Sequence, residues 1–339
     1  MESDQQPITV SLRELETESV TLQTLEQAFG PSSLGILIVK DLPAQFHPLR
    51  KKLLTYASSL AQLSAKELDS LTNAESHYNV GWSHGKEALK DGQYDTMKGS
   101  YYVGVMSTNL QASTERSQQP FEYPNIWPAE DLLPGFRQTF EELGTMIVDI
   151  ALVVAKACDQ FAVKSLPSYE PGLLERVLKE STTTRARLLH YFPPRSDIER
   201  GAVDEEDDSW CALHVDDGCL TGLTSALYVD ESKFSSSTTV EMIKDPDYYA
   251  GLYIRSRTSE VVKVNIPEDC LAFQTGSALQ LMTKGALKAV PHFVRGPTVG
   301  SAVARNTLAV FTQPNLNEIL DETGITFGQH IRESDEKHA

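Results

Sequence analysis

The sequence predicts an α+β protein in which helices come early and a sandwich or barrel of short strands follows. Three observations predict it. The chain up to Leu60 reads as strand, helix, strand, helix; a strongly amphipathic helix follows Leu133-Pro134-Gly135; and beyond Thr182 the chain breaks into short β-like segments separated by turns.

Ile8-Thr-Val-Ser-Leu12 alternates apolar and polar residues, as a half-buried strand does, and Leu22, Leu25 and Phe29 recur at helical spacing until Gly30-Pro31 stops them. Gly35-Ile-Leu-Ile-Val39 is a continuous apolar run suited to a buried strand, and Leu49, Leu53, Tyr56 and Leu60 share one face of the next helix. From Ser64 to Pro128 the pattern weakens. Gly81, Gly85, Gly92, Gly99 and Pro120 punctuate it, and Ser107 to Gln119 is a polar run, so the expectation is a surface excursion. Its Trp82, Tyr94, Tyr101 and Tyr102 would line a pocket only if the region folds over one. Phe136, Phe140, Leu143, Ile147, Ala151, Val154 and Phe161 then mark a packing helix, with Pro134 near its first turn, where the missing N–H costs nothing. The expected strands run over Ala186–Phe192, Trp210–Asp216, Thr221–Val229, Gly251–Ile254, Val261–Ile266, Cys270–Thr275, Ala289–Val294 and Asn306–Gln313. A double-sheet jelly roll of about eight strands accommodates them. Two insertions interrupt the series: Arg195 to Ser209, with the acidic run Asp204 to Asp208, expected as a solvated loop, and Asp230 to Tyr249, placed where a lid could lie.

Composition narrows the function. A chain of 339 residues that is 40% hydrophobic and 23% charged can bury a substantial core. The net charge of −17 argues against nucleic acid and against anionic membranes as partners, because both need clustered Lys and Arg. Four cysteines in this length make no disulfide framework, and the acidic amino terminus carries no apolar run, so a cytoplasmic protein is expected.

Chemistry concentrates in Trp210-Cys-Ala-Leu-His-Val-Asp-Asp-Gly218. In an extended segment His214 and Asp216 leave the same face, so an imidazole nitrogen and a carboxylate oxygen can meet at one point. His292, in Ala-Val-Pro-His-Phe-Val-Arg295, is the best third ligand. Two histidines and one carboxylate form the facial set of non-haem Fe(II) oxygenases, which leaves positions open for a cosubstrate and O₂. A 2-oxoglutarate cosubstrate also needs a cation for its far carboxylate, and Arg305 with Thr307 offers a guanidinium and a hydroxyl on one strand face.

The run from Gly251-Leu-Tyr-Ile through Val262-Lys-Val-Asn-Ile-Pro267 and Cys270-Leu-Ala-Phe-Gln-Thr-Gly-Ser-Ala-Leu-Gln280 to Thr283-Lys-Gly-Ala-Leu-Lys-Ala-Val-Pro-His292 resembles the second half of the Fe(II)/2-oxoglutarate-dependent dioxygenases. The branch it resembles contains isopenicillin N synthase and the plant flavonoid and hormone oxygenases. Leu189-His-Tyr-Phe-Pro-Pro194 is similar to that branch's Asn-Tyr-Tyr-Pro-Pro segment, and Asn125-Ile-Trp-Pro128 with Leu133-Pro-Gly-Phe-Arg137 resembles the entry to its long helix.

The resemblance implies a double-stranded β-helix (jelly roll) core flanked by helices, spanning 181–320. It also implies an amino-terminal α/β region over 1–130 packing on that core, the long helix and linker over 131–180, and a tail over 321–339. It places the Fe(II) ligands on His214, Asp216 and His292 and the cosubstrate-carboxylate pair on Arg305 and Thr307. His190 stands where the family has Asn and is expected to bind cosubstrate in its place. Phe192 stands where a Tyr is common, and Ser277 replaces an acidic residue after Gly276. The implied reaction is oxidation of a small-molecule metabolite with O₂ and 2-oxoglutarate, by hydroxylation, desaturation or cyclisation.

Alternatives remain at this level. They are an oxidase of the same branch that does without 2-oxoglutarate, a catalytically silent binding protein, and a zinc site of His214 with the two thiolates Cys211 and Cys219. Strand parity argues against zinc, since Cys211 is an odd number of residues from His214 and is expected on the opposite face.

Overall fold

The computed structural model describes residues 6–86, 94–108, 123–193, 210–233, 249–296 and 302–338. The strands are β1 (Ile8–Ser11), β2 (Ile36–Lys40), β3 (Gly81–His84), β4 (Lys98–Gly104), β5 (Arg185–Tyr191), β6 (Cys211–His214), β7 (Leu220–Thr224), β8 (Leu227–Asp230), β9 (Gly251–Arg255), β10 (Val261–Val264), β11 (Leu271–Thr275), β12 (His292–Arg295) and β13 (Val303–Thr312). Nine of them form one sheet in the order β1-β2-β11-β7-β13-β5-β4-β3, with β8 also on β13; the other four form a second sheet, β10-β9-β12-β6. Every described pairing is antiparallel except β1 with β2.

The amino-terminal expectations hold, and the structure adds how the elements are used. β1 and β2 extend the large sheet through β11. The short helix Leu12–Glu16 between them starts on a capping box, Ser11 taking the Glu14 N–H while the Glu14 carboxylate takes the Ser11 N–H at 2.7 Å. The helix Phe46–Ala61 lies on the large sheet, and its buried Arg50 donates to the carbonyls of Ser225 and Ala226 at 3.0 and 2.9 Å. Those carbonyls lie in the break between β7 and β8. The segment expected as one strand, Thr221–Val229, is therefore two: β7 pairs with the carboxy-terminal half of β13 and β8 with its amino-terminal half.

The surface excursion expected from Ser64 to Pro128 is corrected: it supplies β3 and β4, which continue the large sheet beyond β5. Tyr101 and Trp82 are buried there. Gly99, one of the glycines that suggested a loop, answers to packing instead. A Cβ on Gly99 would sit 2.2 Å from the Trp82 ring, so the strand can pass only without a side chain.

The thirty-residue helix Phe136–Ser165 packs on the outer face of the large sheet, as expected of an amphipathic helix, and so closely that a Cβ on Gly222 of β7 would meet Ile147 at 2.5 Å. Two apolar cores result. One lies between helices and large sheet, around Phe136, Phe140, Ile147, Leu188, Leu308 and Val310; the other lies between the sheets, around Ile38, Leu189, Ile254, Val264, Ala272 and Val294. Alternation along β5 and β13 sends Leu188, Leu308 and Val310 to the helices and Leu189 and Ala309 to the inter-sheet space. That space holds the site. The short helices Leu173–Lys179, Ser277–Met282 and Phe327–His338 were not anticipated. No described helix is long and apolar enough to cross a membrane. The acidic insertion and most of the expected lid and polar run lie outside the described residues.

Candidate active site

β6 and β12 are antiparallel neighbours with His214 directly opposite His292, and the imidazole centroids are 4.2 Å apart. Asp216 follows just beyond the end of β6. Its Oδ1 is 3.6 Å from His214 Nε2 and 3.8 Å from His292 Nε2, and one ligand atom from each residue lies within 4.8 Å of the others. The three expected ligands therefore come together, from one strand, the turn after it and the strand beside it.

Neighbouring groups orient them. His214 Nδ1 lies 2.7 Å from the Ala212 carbonyl, so Nδ1 donates there and Nε2 is the nitrogen left for the triad. Thr221 Oγ1 donates to Asp216 Oδ2 at 2.5 Å, which leaves Oδ1 facing the two imidazoles. Burial would raise the Asp216 carboxyl, but His292, His214 and the Thr221 hydrogen bond outweigh it and hold the group far below the usual carboxylate range. Burial, and then His214, lower His292 to about 4; burial would lower His214 as well, but Cys211 and Asp216 push it well above 6.5. An ionised carboxylate facing the Nε2 atoms of two imidazoles is a donor set suited to one divalent cation, which would displace the proton that His214 holds in the metal-free protein.

Cys211 corrects the parity argument. The register of β12 on β6 shifts between His292 and Val294, and this irregularity turns the Cys211 thiol toward His214, Sγ to Nδ1 3.9 Å. Cys211 thus lines the cavity, but it approaches the imidazole nitrogen remote from Asp216 and His292. Burial would raise its thiol, and His214 brings it down to about 7. Cys219 is buried against Met282 instead, 3.9 Å between sulfurs.

The triad opens into a cavity of about 470 Å³ between the sheets, whose wall includes Arg187, Leu189 and Tyr191 of β5 and Arg305, Thr307, Ala309 and Phe311 of β13. Arg305 is buried, its guanidinium is 5.1 Å from the centre of the Tyr191 ring directly opposite on β5, and its Nε and Nη1 have no hydrogen-bond partner among the described residues. A buried guanidinium with two unpartnered N–H groups costs about 2–6 kcal/mol until an acceptor arrives. Thr307 lies two residues along the same face, its hydroxyl donating to the Thr224 carbonyl at 3.2 Å.

The expectation for His190 is not met. It lies between the cavity-facing Leu189 and Tyr191, so alternation directs it to the other side of the sheet, where Nδ1 is 2.7 Å from Asn306 Oδ1. Asn306 in turn donates to the Leu54 carbonyl and to Ser58 Oγ, both at 2.8 Å, which ties the strands to the helix Phe46–Ala61. The segment's cavity-lining aromatic is Tyr191, whereas Phe192 packs against His190 and His84. Sequence reasoning also passed over Thr221, Arg187 and Tyr228. Nothing short of strand register could have selected them.

No protein-family model and no curated protein matches the chain. Solved structures do. A full-length Neurospora crassa protein in complex with α-ketoglutarate and thymine is 18% identical, with 100% of this chain and 99% of that chain covered and a TM-score of 0.70. JOX2 in complex with 2-oxoglutarate, Fe and JA is 14% identical, covering 97% and 86%, at a TM-score of 0.62. A dioxygenase for auxin oxidation in rice is 15% identical, covering 98% and 96%, at 0.61. Over essentially its whole described length, this chain carries the fold of the Fe(II)- and 2-oxoglutarate-dependent oxygenases.

Proposed function

We propose that this protein is a non-haem Fe(II)- and 2-oxoglutarate-dependent oxygenase that oxidises a small-molecule metabolite. The observation that carries the reading is the coexistence, in one cavity, of a His214–Asp216–His292 cluster and a buried Arg305 lacking acceptors for two of its N–H groups. A cation site alone fits many functions. A cation site sharing a cavity with an anion-seeking guanidinium fits a small acid that chelates a metal at one end and pairs with Arg305 at the other.

In this reading His214 and His292 present neutral imidazole nitrogens and Asp216 a carboxylate oxygen to Fe(II), Ala212 and Thr221 holding two of them in orientation. Arg305 takes the distal carboxylate of 2-oxoglutarate, with Thr307 beside it and Tyr191 covering the guanidinium face. The chemistry the bound metal and keto acid supply is reductive activation of O₂, with conversion of 2-oxoglutarate to succinate and CO₂ and oxidation of a C–H bond. The apolar wall from Leu189, Leu223, Ala309 and Val294 keeps bulk water from the reacting groups.

Finer assignments belong to the same proposal. Those strands of the two facing sheets that fall within 181–320 constitute a double-stranded β-helix, with the 1–130 region packed on it, the long helix and linker over 131–180, and a carboxy-terminal tail over 321–339. The branch is that of isopenicillin N synthase. Four free cysteines support a reducing, cytoplasmic setting.

The test is anaerobic addition of Fe(II) and 2-oxoglutarate to the protein, followed by a metabolite screen for 2-oxoglutarate consumption. A visible charge-transfer band and substrate-dependent succinate release are expected. Folded protein that binds neither Fe(II) nor Mn(II) would overturn the proposal.

A further inference from the structure

We propose that His330, on the carboxy-terminal helix Phe327–His338, is a positioning residue for the metal ligand Asp216 and acts through Ser277. The inference rests on the metal site proposed above and adds a residue from outside the cavity to it.

Asp216 stands on the turn between β6 and β7, so its carboxylate reaches the two histidines only while the turn backbone keeps its place. The start of the helix Ser277–Met282 holds that backbone. Ser277 N–H donates to the Asp216 carbonyl at 2.8 Å, Ala278 N–H to the carbonyls of Asp217 and Gly218 at 3.1 Å each, and Gly276 N–H to the Cys219 carbonyl at 2.9 Å. The approach leaves no room for a side chain: a Cβ on Gly276 would lie 2.2 Å from the Gly218 oxygen and 2.9 Å from the Asp216 oxygen.

Ser277 also connects outward. Its Oγ is 3.4 Å from the Asp217 carbonyl and 2.7 Å from His330 Nε2. A serine hydroxyl has one proton, so when it donates to the Asp217 carbonyl it accepts from His330 Nε2–H. His330 is itself held in place. Thr326 and Gln329 cap the helix reciprocally, Thr326 N–H to Gln329 Oε1 at 2.8 Å and Gln329 N–H to Thr326 Oγ1 at 3.3 Å; Phe327 is fully buried, and Gly328 N–H donates to the Leu316 carbonyl at 2.8 Å. A continuous set of hydrogen bonds thus runs from a fastened helix through His330 and Ser277 to the backbone that carries Asp216. Metal sites tolerate displacements of only about 0.5 Å in their ligands, and loss of an orienting partner typically weakens metal binding about 10–100-fold.

The experiment measures Mn(II) affinity calorimetrically in the absence of 2-oxoglutarate, alongside the melting temperature of metal-free protein, for wild type, His330→Ala, His330→Gln and Ser277→Ala. The expected result is Mn(II) binding about tenfold weaker in His330→Ala and Ser277→Ala, with metal-free melting within about 2 °C of wild type. His330→Gln keeps an N–H donor and should return to within about threefold. Wild-type affinity in both alanine variants overturns the proposal, as does a His330→Gln no better than His330→Ala. Should His330→Ala fold poorly, Ser277→Ala decides by the same criterion. Wild-type protein that takes up no Mn(II) refutes the metal site itself, whereas wild-type binding that all three variants share refutes only the role of His330.

Discussion

Replacing Arg305 with methionine should move two measurements in opposite directions. In the ligand-free protein Arg305 is buried with Nε and Nη1 unpartnered. Each of the two groups costs about 1–3 kcal/mol, and the contact with the Tyr191 ring at 5.1 Å recovers about 0.5–2 kcal/mol, so an unbranched apolar replacement should stabilise the metal-free, ligand-free protein by about 3 kcal/mol. At about 2 °C per kcal/mol for a chain of this size, the melting temperature should rise by a few degrees. The same change removes the partner of a desolvated carboxylate, which costs about 2–5 kcal/mol, and should weaken 2-oxoglutarate binding by roughly 30- to 4000-fold. Thermal denaturation with Mn(II), with and without 2-oxoglutarate, reads both: wild type should gain stability from 2-oxoglutarate and Arg305→Met should lose that gain while starting higher. A variant less stable than wild type that still binds 2-oxoglutarate within about threefold would show that Arg305 is a structural residue and not a receptor for the keto acid.

Other consequences concern the buried network behind Arg305. Burial raises Glu231 to about 7 and lowers His190 to about 4, with the two 3.3 Å apart, so near neutrality the acid is about half protonated and the imidazole uncharged. A folded value above the ordinary 4.5 means that Glu231 favours folding below pH 4.5 and that this contribution, about 3 kcal/mol at most, is lost as pH rises through 7. Glu231→Gln should therefore be more stable than wild type at pH 8 and not at pH 4.5 in urea unfolding; an equal effect at both would contradict it. Because His190 faces away from the cavity, His190→Phe should reduce stability by about 1–3 kcal/mol through the orphaned Asn306 while leaving 2-oxoglutarate affinity within about threefold. A large loss of affinity at unchanged stability would restore His190 to the cosubstrate site. Gly99→Ala, whose Cβ would overlap the Trp82 ring at 2.2 Å, should lower stability by about 1–3 kcal/mol, and a neutral effect in chemical denaturation would mean that β3 is free to move.

What the sequence by itself determined was whatever depends on spacing within one element. The period of the long helix, the two-residue step from His214 to Asp216 and the alternation that puts Arg305 and Thr307 on one face of β13 are local properties, and each could be read without knowing what lies opposite. Which face of β5 meets the cavity was decided only by tertiary structure. Alternation says that Tyr191 and His190 point in opposite directions but not which of them points inward; pairing of Arg305 with Tyr191 settles that, and a shift of one residue would exchange them. The irregularity after His292 likewise brought Cys211 to a face that local parity denied it, and the strand around Gly99 was hidden because glycine chosen for the close approach of a Trp82 ring looks, in sequence, the same as glycine chosen for a turn. Register, bulges and close approaches arise from contacts between residues far apart in the chain, and the energy that selects them is spread over partners no single segment contains.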